Sequence, residues 1–334
     1  MSVLRFTAVL IVVIASLFNI QSAAAKSIVS WGSNRFDSRD FKNAQFTSVS
    51  AGSDHTIALK SDGSIVAWGE NLDSKATPPV GNDYVAITAG TDHNLAIKTD
   101  GSIVGWGNNY DDKATPPEGN DFIAVAAGSD HSVALKNDGT IVAWGDDRYG
   151  QNIAPSGNDF KAISVKLYYS IALKNDGSIT AWGGTSYPDQ LQPPPGNDYV
   201  AIAAGSRHGL ALKSDGSIAA WGTDTFSFAF PPEPATLSTP PLGNDFVAIA
   251  VGNYNYALKS DGSIVAWGGS TLAGPATAPL GNNYIAISAG SHLVALKSNG
   301  SIKGWGDDFY GEMELPLSND ISDISVILLQ LKYQ

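Results

Sequence analysis

The sequence predicts an all-β fold of the propeller class, a ring of short sheets built from one repeated unit. Two observations carry that prediction. Eight Trp-Gly pairs, at Trp31, Trp68, Trp106, Trp144, Trp182, Trp221, Trp267 and Trp305, recur at intervals of 37, 38, 38, 38, 39, 46 and 38 residues. A regular period near 40 residues marks one supersecondary unit whose copies must stack to bury their apolar faces. Within each unit, short apolar runs alternate with clusters of Gly, Asn, Asp and Pro, the pattern of strands and turns.

The chain opens with a different kind of segment. Arg5 precedes an apolar run from Ala8 to Phe18, and Ala23-Ala24-Ala25 supplies small residues ahead of Lys26. That order of positive, apolar and small residues is expected of a secretory signal peptide covering residues 1–25. The run is shorter than the roughly 20 residues that a membrane-spanning helix requires. Residues 26–334 are then expected to form one domain, secreted, periplasmic or held at the cell surface, with no membrane association after cleavage.

The third unit shows how the repeat is built. Ile123 to Gly128 reads as a first strand, His131 to Lys136 as a second and Thr140 to Gly145 as a third. The last two strands are joined by Asp62-Gly63, Asp100-Gly101, Asp138-Gly139, Asp176-Gly177, Asp215-Gly216, Asp261-Gly262 or Asn299-Gly300 in successive copies. Such pairs tolerate positive φ, so a tight hairpin with a type I′ turn is expected at each. Strands such as Ile141-Val142-Ala143-Trp144 are apolar throughout instead of alternating, as sheets covered on both faces require. Each Trp is expected to fill space between neighbouring sheets. After each Trp-Gly comes a variable, Pro-rich stretch such as Ala76-Thr77-Pro78-Pro79, expected to cross the surface to the next unit.

Composition narrows the function. The chain has no cysteine, so disulfides, thiol chemistry and Cys-based metal sites are excluded. Its net charge of −12 becomes −13 once the signal peptide removes Arg5, which opposes nucleic-acid binding.

The repeat resembles the RCC1 family of β-propellers, on the strength of Ala51-Gly52-Ser53-Asp54-His55-Thr56-Ile57-Ala58-Leu59, the Asp-Gly turn, and Val66-Ala67-Trp68-Gly69. The resemblance runs over the whole mature chain. Its short unit and export signal are more similar to secreted bacterial members, the β-lactamase inhibitor type included, than to the nuclear exchange factor. The 309 residues left when 25 are removed from 334 correspond to about eight periods of 38. Eight blades are therefore expected, with Ser27–Gly32 and Ile321–Leu331 joining the chain ends in one blade; seven blades plus a peripheral element is the alternative. Closure of either kind removes free sheet edges.

Candidate catalytic and metal residues read as structural. His55, His93, His131 and His208 occupy one repeat position, with His292 close to it; Tyr169 takes the slot in the fourth copy, and Asn255 lies near it in the sixth. Equivalent positions in different blades cannot converge on one tetrahedral metal, so each His is expected to stabilise its blade by a hydrogen bond. The recurring Gly-Asn-Asp, as at Gly81-Asn82-Asp83, is expected to cap turns, and its spacing does not match an EF-hand loop. No cofactor, metal or catalytic group is expected.

Differences between the copies are more informative. The Gly-x-x-His corners carry Asp54, Asp92 and Asp130 in three copies, then Lys166, Leu167 and Tyr168, then Arg207, then Asn253 and Tyr254. The loops after Trp-Gly add Tyr110, Tyr149, Tyr187, Phe309 and Tyr310, and the insertion from Thr223 to Pro241 adds Phe226, Phe228 and Phe230. Aromatics on rigid loops are the usual anchors of a binding surface. The sequence therefore predicts a non-enzymatic, monomeric scaffold that engages a protein partner through Tyr110, Tyr149, Tyr168, Tyr187, Arg207, Phe226, Phe228, Phe230, Tyr254, Phe309 and Tyr310. The alternative is a carbohydrate-binding or carbohydrate-active propeller using its central channel. β-Lactamase inhibition and GTPase exchange rank below both, because three corners present Asp.

Overall fold

A computed structural model of the chain describes residues 46–184, 188–222, 239–252, 254–268, 278–289, 292–298 and 302–306. Among them lie seven three-stranded antiparallel sheets, each formed by consecutive strands. The first three sheets are β1 (Phe46–Ala51), β2 (His55–Lys60) and β3 (Ile65–Gly69); β4 (Tyr84–Ala89), β5 (His93–Lys98) and β6 (Ile103–Gly107); and β7 (Phe122–Ala127), β8 (His131–Lys136) and β9 (Ile141–Gly145). The fourth and fifth are β10 (Phe160–Lys166), β11 (Tyr169–Lys174) and β12 (Ile179–Gly183), then β13 (Tyr199–Ala204), β14 (His208–Lys213) and β15 (Ile218–Gly222). The last two are β16 (Phe246–Val251), β17 (Asn255–Lys259) and β18 (Ile264–Trp267), then β19 (Tyr284–Ala289), β20 (His292–Lys297) and β21 (Ile302–Gly306). These are the blades that the period predicts.

The turn between the second and third strand differs from the expected type I′. In the first sheet Gly63 N–H donates to Lys60 C=O at 3.0 Å, and of the Asp-Gly pair only Gly63 has a positive φ, 81°. The loop is thus a type I turn closed by a left-handed glycine, the three-residue hairpin with a bulge. Asp62 fixes it by accepting from Ser64 N–H at 2.9 Å and from the Ser64 hydroxyl at 2.6 Å. Glycine is required for a second reason: a Cβ at Gly63 would lie 2.2 Å from the Asn82 carbonyl oxygen of the next unit.

That contact shows what the Gly-Asn-Asp segments do. Tyr84 N–H donates to Gly63 C=O at 3.1 Å, so each hairpin docks on the start of the next sheet. Asp83 goes further than capping a turn: its carboxylate pairs with Lys98 at 3.2 Å, and Lys98 lies 5.6 Å from the centre of the buried Tyr84 ring. Lys136 and Asp121, Lys174 and Asp159, Lys213 and Asp198, and Lys259 and Asp245 repeat the pair.

The core lies between sheets. Val133 and Leu135 of the third sheet pack with Phe160, Ile163 and Trp182 of the fourth, and Leu95 and Ile97 of the second pack with Phe122, Val125 and Trp144 of the third. Trp106, Trp144, Trp182, Trp221, Trp267 and Trp305 pack into these inter-blade clusters, as the sequence predicts. Fully burying one such aliphatic side chain stabilises by about 1.5–3 kcal/mol. The first strands, β1, β4, β7, β10, β13, β16 and β19, surround a central channel, and β1 lies beside β19 to close that inner ring. The described residues hold seven sheets; the segments assigned to an eighth blade, 27–32 and 321–331, lie outside them.

Candidate functional site

The molecule has two faces of different construction. One carries the Asp-Gly hairpins and the Gly-Asn-Asp segments. The other carries the Gly-x-x-His corners, and the loops after Trp-Gly start there, since Glu70 N–H donates to the Asp54 carbonyl at 2.8 Å. The partner-binding candidates among the described residues belong to this corner face.

The corners are built around the imidazoles. Gly52 N–H donates to His55 C=O at 2.8 Å, and a Cβ at Gly52 would lie 2.3 Å from His55 Cε1. The glycine is there because the ring of its own His occupies the space. Each ring then reaches into the next sheet: His55 Nε2 lies 2.7 Å from Asn94 Oδ1, His93 Nε2 2.8 Å from Ser132 Oγ, His131 Nε2 2.8 Å from Ser170 Oγ, and His208 Nε2 2.7 Å from Asn255 Oδ1. Ser132 Oγ donates its own proton to the Lys113 carbonyl at 2.9 Å, so His93 Nε2 must be the donor to it. Trp144 Nε1 donates to the same carbonyl at 3.0 Å. Burial lowers His55, His93 and His131 from the usual imidazole value, His131 to about 4. The blade-stabilising role expected of the histidines is thus a bond between blades, engaging Nε2.

The polar partners Asn94, Ser132, Ser170 and Asn255 were not legible from any single copy. A signal exists in the comparison of neighbours. Where Tyr169 replaces the His, the residue at the partner position in the next sheet is Gly209; where Tyr254 does so, it is Leu293. Without an imidazole N–H to satisfy, no polar side chain is retained. Tyr169 instead fills the space with its ring and donates its hydroxyl to the His208 carbonyl at 3.4 Å. Burial raises the Tyr169 hydroxyl above its ordinary value.

A buried cation braces two of the three acids on this half of the rim. Lys113, 2% exposed, bridges Asp92 at 2.9 Å and Asp130 at 3.3 Å and donates to the Ser129 carbonyl at 3.1 Å. Burial opposes ionisation of Asp92, yet the Lys113 ammonium 2.9 Å away holds its carboxyl below the usual range. These acids therefore brace neighbouring blades. Among the described residues no group of three or more His, Asp and Glu could hold a metal ion.

The other half of the face brings two candidates together. Tyr149, from the loop after the third sheet, and Tyr168, from the fourth corner, have ring centres 5.4 Å apart at 57°. Each is exposed by more than a third. Tyr149 is held by its N–H donating to Gln151 Oε1 at 2.7 Å, and the neighbouring Arg148 by a 2.9 Å contact to the buried Asp146. Tyr110 stands out at 68% exposure, on a short 3-10 turn in which Asp111 and Asp112 have left-handed backbones. Arg207 is half-buried, and Tyr254 packs edge-on against Tyr256 at 6.5 Å. Tyr187, Phe226, Phe228, Phe230, Phe309 and Tyr310 lie outside the described residues.

The channel opens on this face. Its cavity, about 140 Å³, is lined by small and aliphatic residues with the hydroxyls of Ser50, Thr88, Ser164 and Ser288, and by Lys166. No carboxylate lines it among the described residues. Paired acids on facing strands, which carbohydrate hydrolysis would need, are therefore not part of the described wall.

Residues 46–74, 84–112, 122–151 and 199–227 match the repeat described as the Regulator of chromosome condensation (RCC1) repeat. No curated protein sequence matches the chain. Solved structures similar to it include Prp20p from Saccharomyces cerevisiae, at 18% identity and a TM-score of 0.61 over 87% of each chain. The ectodomain of the Arabidopsis thaliana receptor kinase ACR4 is similar at 20% identity and 0.61, over 80% of this chain and 97% of that one. The ectodomain of the Physcomitrella patens receptor kinase CR4 gives 20% and 0.60, over 79% and 74%. Those four segments carry the RCC1 repeat, and the sheet order and these likenesses give the chain the fold of an RCC1-like β-propeller.

Proposed function

We propose that this propeller is an exported, non-enzymatic scaffold that binds a protein partner through its corner face. The observation that carries the reading is the Tyr149–Tyr168 pair, two exposed rings in contact on loops anchored by buried hydrogen bonds. Tyrosines offer large contact area with little rotamer entropy to lose, which is why they dominate the centres of interfaces. Tyr110, on the loop after the second sheet, and Arg207, at the fifth corner, lie on the same face. The similar Prp20p supports the class of function, since its structure was described together with its binding to Gsp1p and histones. Export rests on the composition of residues 1–25.

The test is affinity capture with the full chain against the medium in which it is made, beside a Tyr149→Ala/Tyr168→Ala variant. Leu242→Ala, on the hairpin face and fully exposed, is the control. Selective loss of the captured protein by the tyrosine variant, with an unchanged unfolding midpoint, supports the reading. Equal capture by all three chains, or none by any, rejects it.

A further inference from the structure

The fourth corner is rebuilt in a way that the aromatic patch does not use. Lys166 stands where the first, second, third and fifth copies have Gly52, Gly90, Gly128 and Gly205, positions at which an imidazole leaves no room for a Cβ. Tyr169 has removed that imidazole. β10 then runs one residue further than the other first strands, pairing Lys166 with Tyr169, and the chain turns through Leu167 at a φ of 47°. A left-handed leucine is costly and persists only where its surroundings impose it. The outcome of the rebuild is an amine on the channel wall.

Among the described residues, Lys166 Nζ makes no ion pair or hydrogen bond, and no carboxylate lines the channel there. Around the same channel, the hydroxyls of Ser50 and Ser164 accept backbone N–H groups from Ala89 and Ala204 at 3.0 Å, which leaves their own protons free to donate. Thr88 and Ser288 add two more hydroxyls to the wall. Burial lowers the amine from its ordinary value, the mark of a cation short of both water and counter-charge.

We propose that the corner-side mouth of the channel is a binding site for a small oxyanion of the phosphate or polycarboxylate class, held by Lys166 Nζ and the wall hydroxyls. One cation with several hydroxyl donors and no competing acid is the donor set that such an anion needs. The cavity of about 140 Å³ accommodates a group of that size. The site shares its corner with Tyr168 but uses the amine and the wall hydroxyls instead of that ring, and it requires no partner protein.

Calorimetric titration of the full chain with inorganic phosphate, and in a second arm with citrate, tests it. Saturable one-to-one binding of either, about tenfold weaker or worse in Lys166→Gln and retained in Lys166→Arg, supports the site. In the unmodified protein, the bound anion should also protect Lys166, but not Lys161, from an amine-acylating reagent read by mass spectrometry. This second measurement holds if Lys166→Gln fails to fold. Absence of saturable binding, equal affinity in Lys166→Gln, or acylation of Lys166 unaffected by the anion would overturn the proposal.

Discussion

His93 Nε2 lies 2.8 Å from Ser132 Oγ across the boundary between the second and third sheets, and Ser132 passes its own proton to the carbonyl that also receives Trp144. Three side chains from two blades thus converge on the backbone of the loop joining them. The arrangement predicts that Ser132→Ala destabilises by about 1–3 kcal/mol, since it leaves a buried N–H of His93 unsatisfied. Chemical denaturation measures it. In a double-mutant cycle with His93→Ala the two losses should not add, and the coupling should reach about 0.5–3 kcal/mol. Strict additivity would show that the contact carries no energy.

The same histidines make the ring sensitive to acid. Their folded-state values are lowered by burial, so the unfolded chain takes up protons first as pH falls below about 6.5. Stability is fully present above that pH and is lost progressively toward the folded value, about 4 for His131. His131 alone should cost about 2 kcal/mol between pH 7.5 and 5. Denaturation midpoints measured across that window should fall toward low pH, and the slope should flatten in His131→Gln.

The fold was legible because the Trp-Gly period repeats whatever the packing does, and six Asp-Gly pairs and one Asn-Gly pair punctuate successive copies. The turn type was not, because Asp-Gly serves both the type I′ hairpin and the bulged loop that Asp62 and Ser64 form. The His contacts were half legible. Their structural role followed from their equivalence, but Asn94 and Ser132 lie 39 residues beyond the rings they satisfy, and only a copy-to-copy comparison exposes the link. Tyr149 and Tyr168 could be read as exposed aromatics from their loops, though nothing in the chain fixes two loops 19 residues apart to a 5.4 Å contact.

Lys113 separates structural from steering charge on the acidic rim. Lys113→Met removes a cation that is buried between Asp92 and Asp130, whose own side chains retain about a quarter to a third of their exposure. Those acids can rehydrate in part, so the expected loss is about 1–3 kcal/mol and not the 3–5 of a fully buried pair broken at one end. With Lys113 gone, the Asp92 carboxyl should rise, readable by NMR titration. A stability unchanged by Lys113→Met would reduce the bridge to a surface contact.

The corner glycines supply the sharpest steric prediction. Gly90 carries no left-handed φ, so its backbone would accept alanine. Its space would not: a Cβ there lies 2.4 Å from the Gly128 carbonyl oxygen of the next sheet and 2.9 Å from His93 Cε1. The first neighbour is a corner carbonyl that accepts from Thr91 N–H at 3.1 Å, and the second is a ring held by Ser132. Gly90→Ala should therefore cost about 1–3 kcal/mol by overpacking, with its effect transmitted across the blade boundary. Adding His93→Ala opens only one of the two contacts, so it should rescue little. Hydrogen exchange would place the damage: amides of β5 and β7 should lose protection together, whereas a purely local effect would confine it to the corner itself.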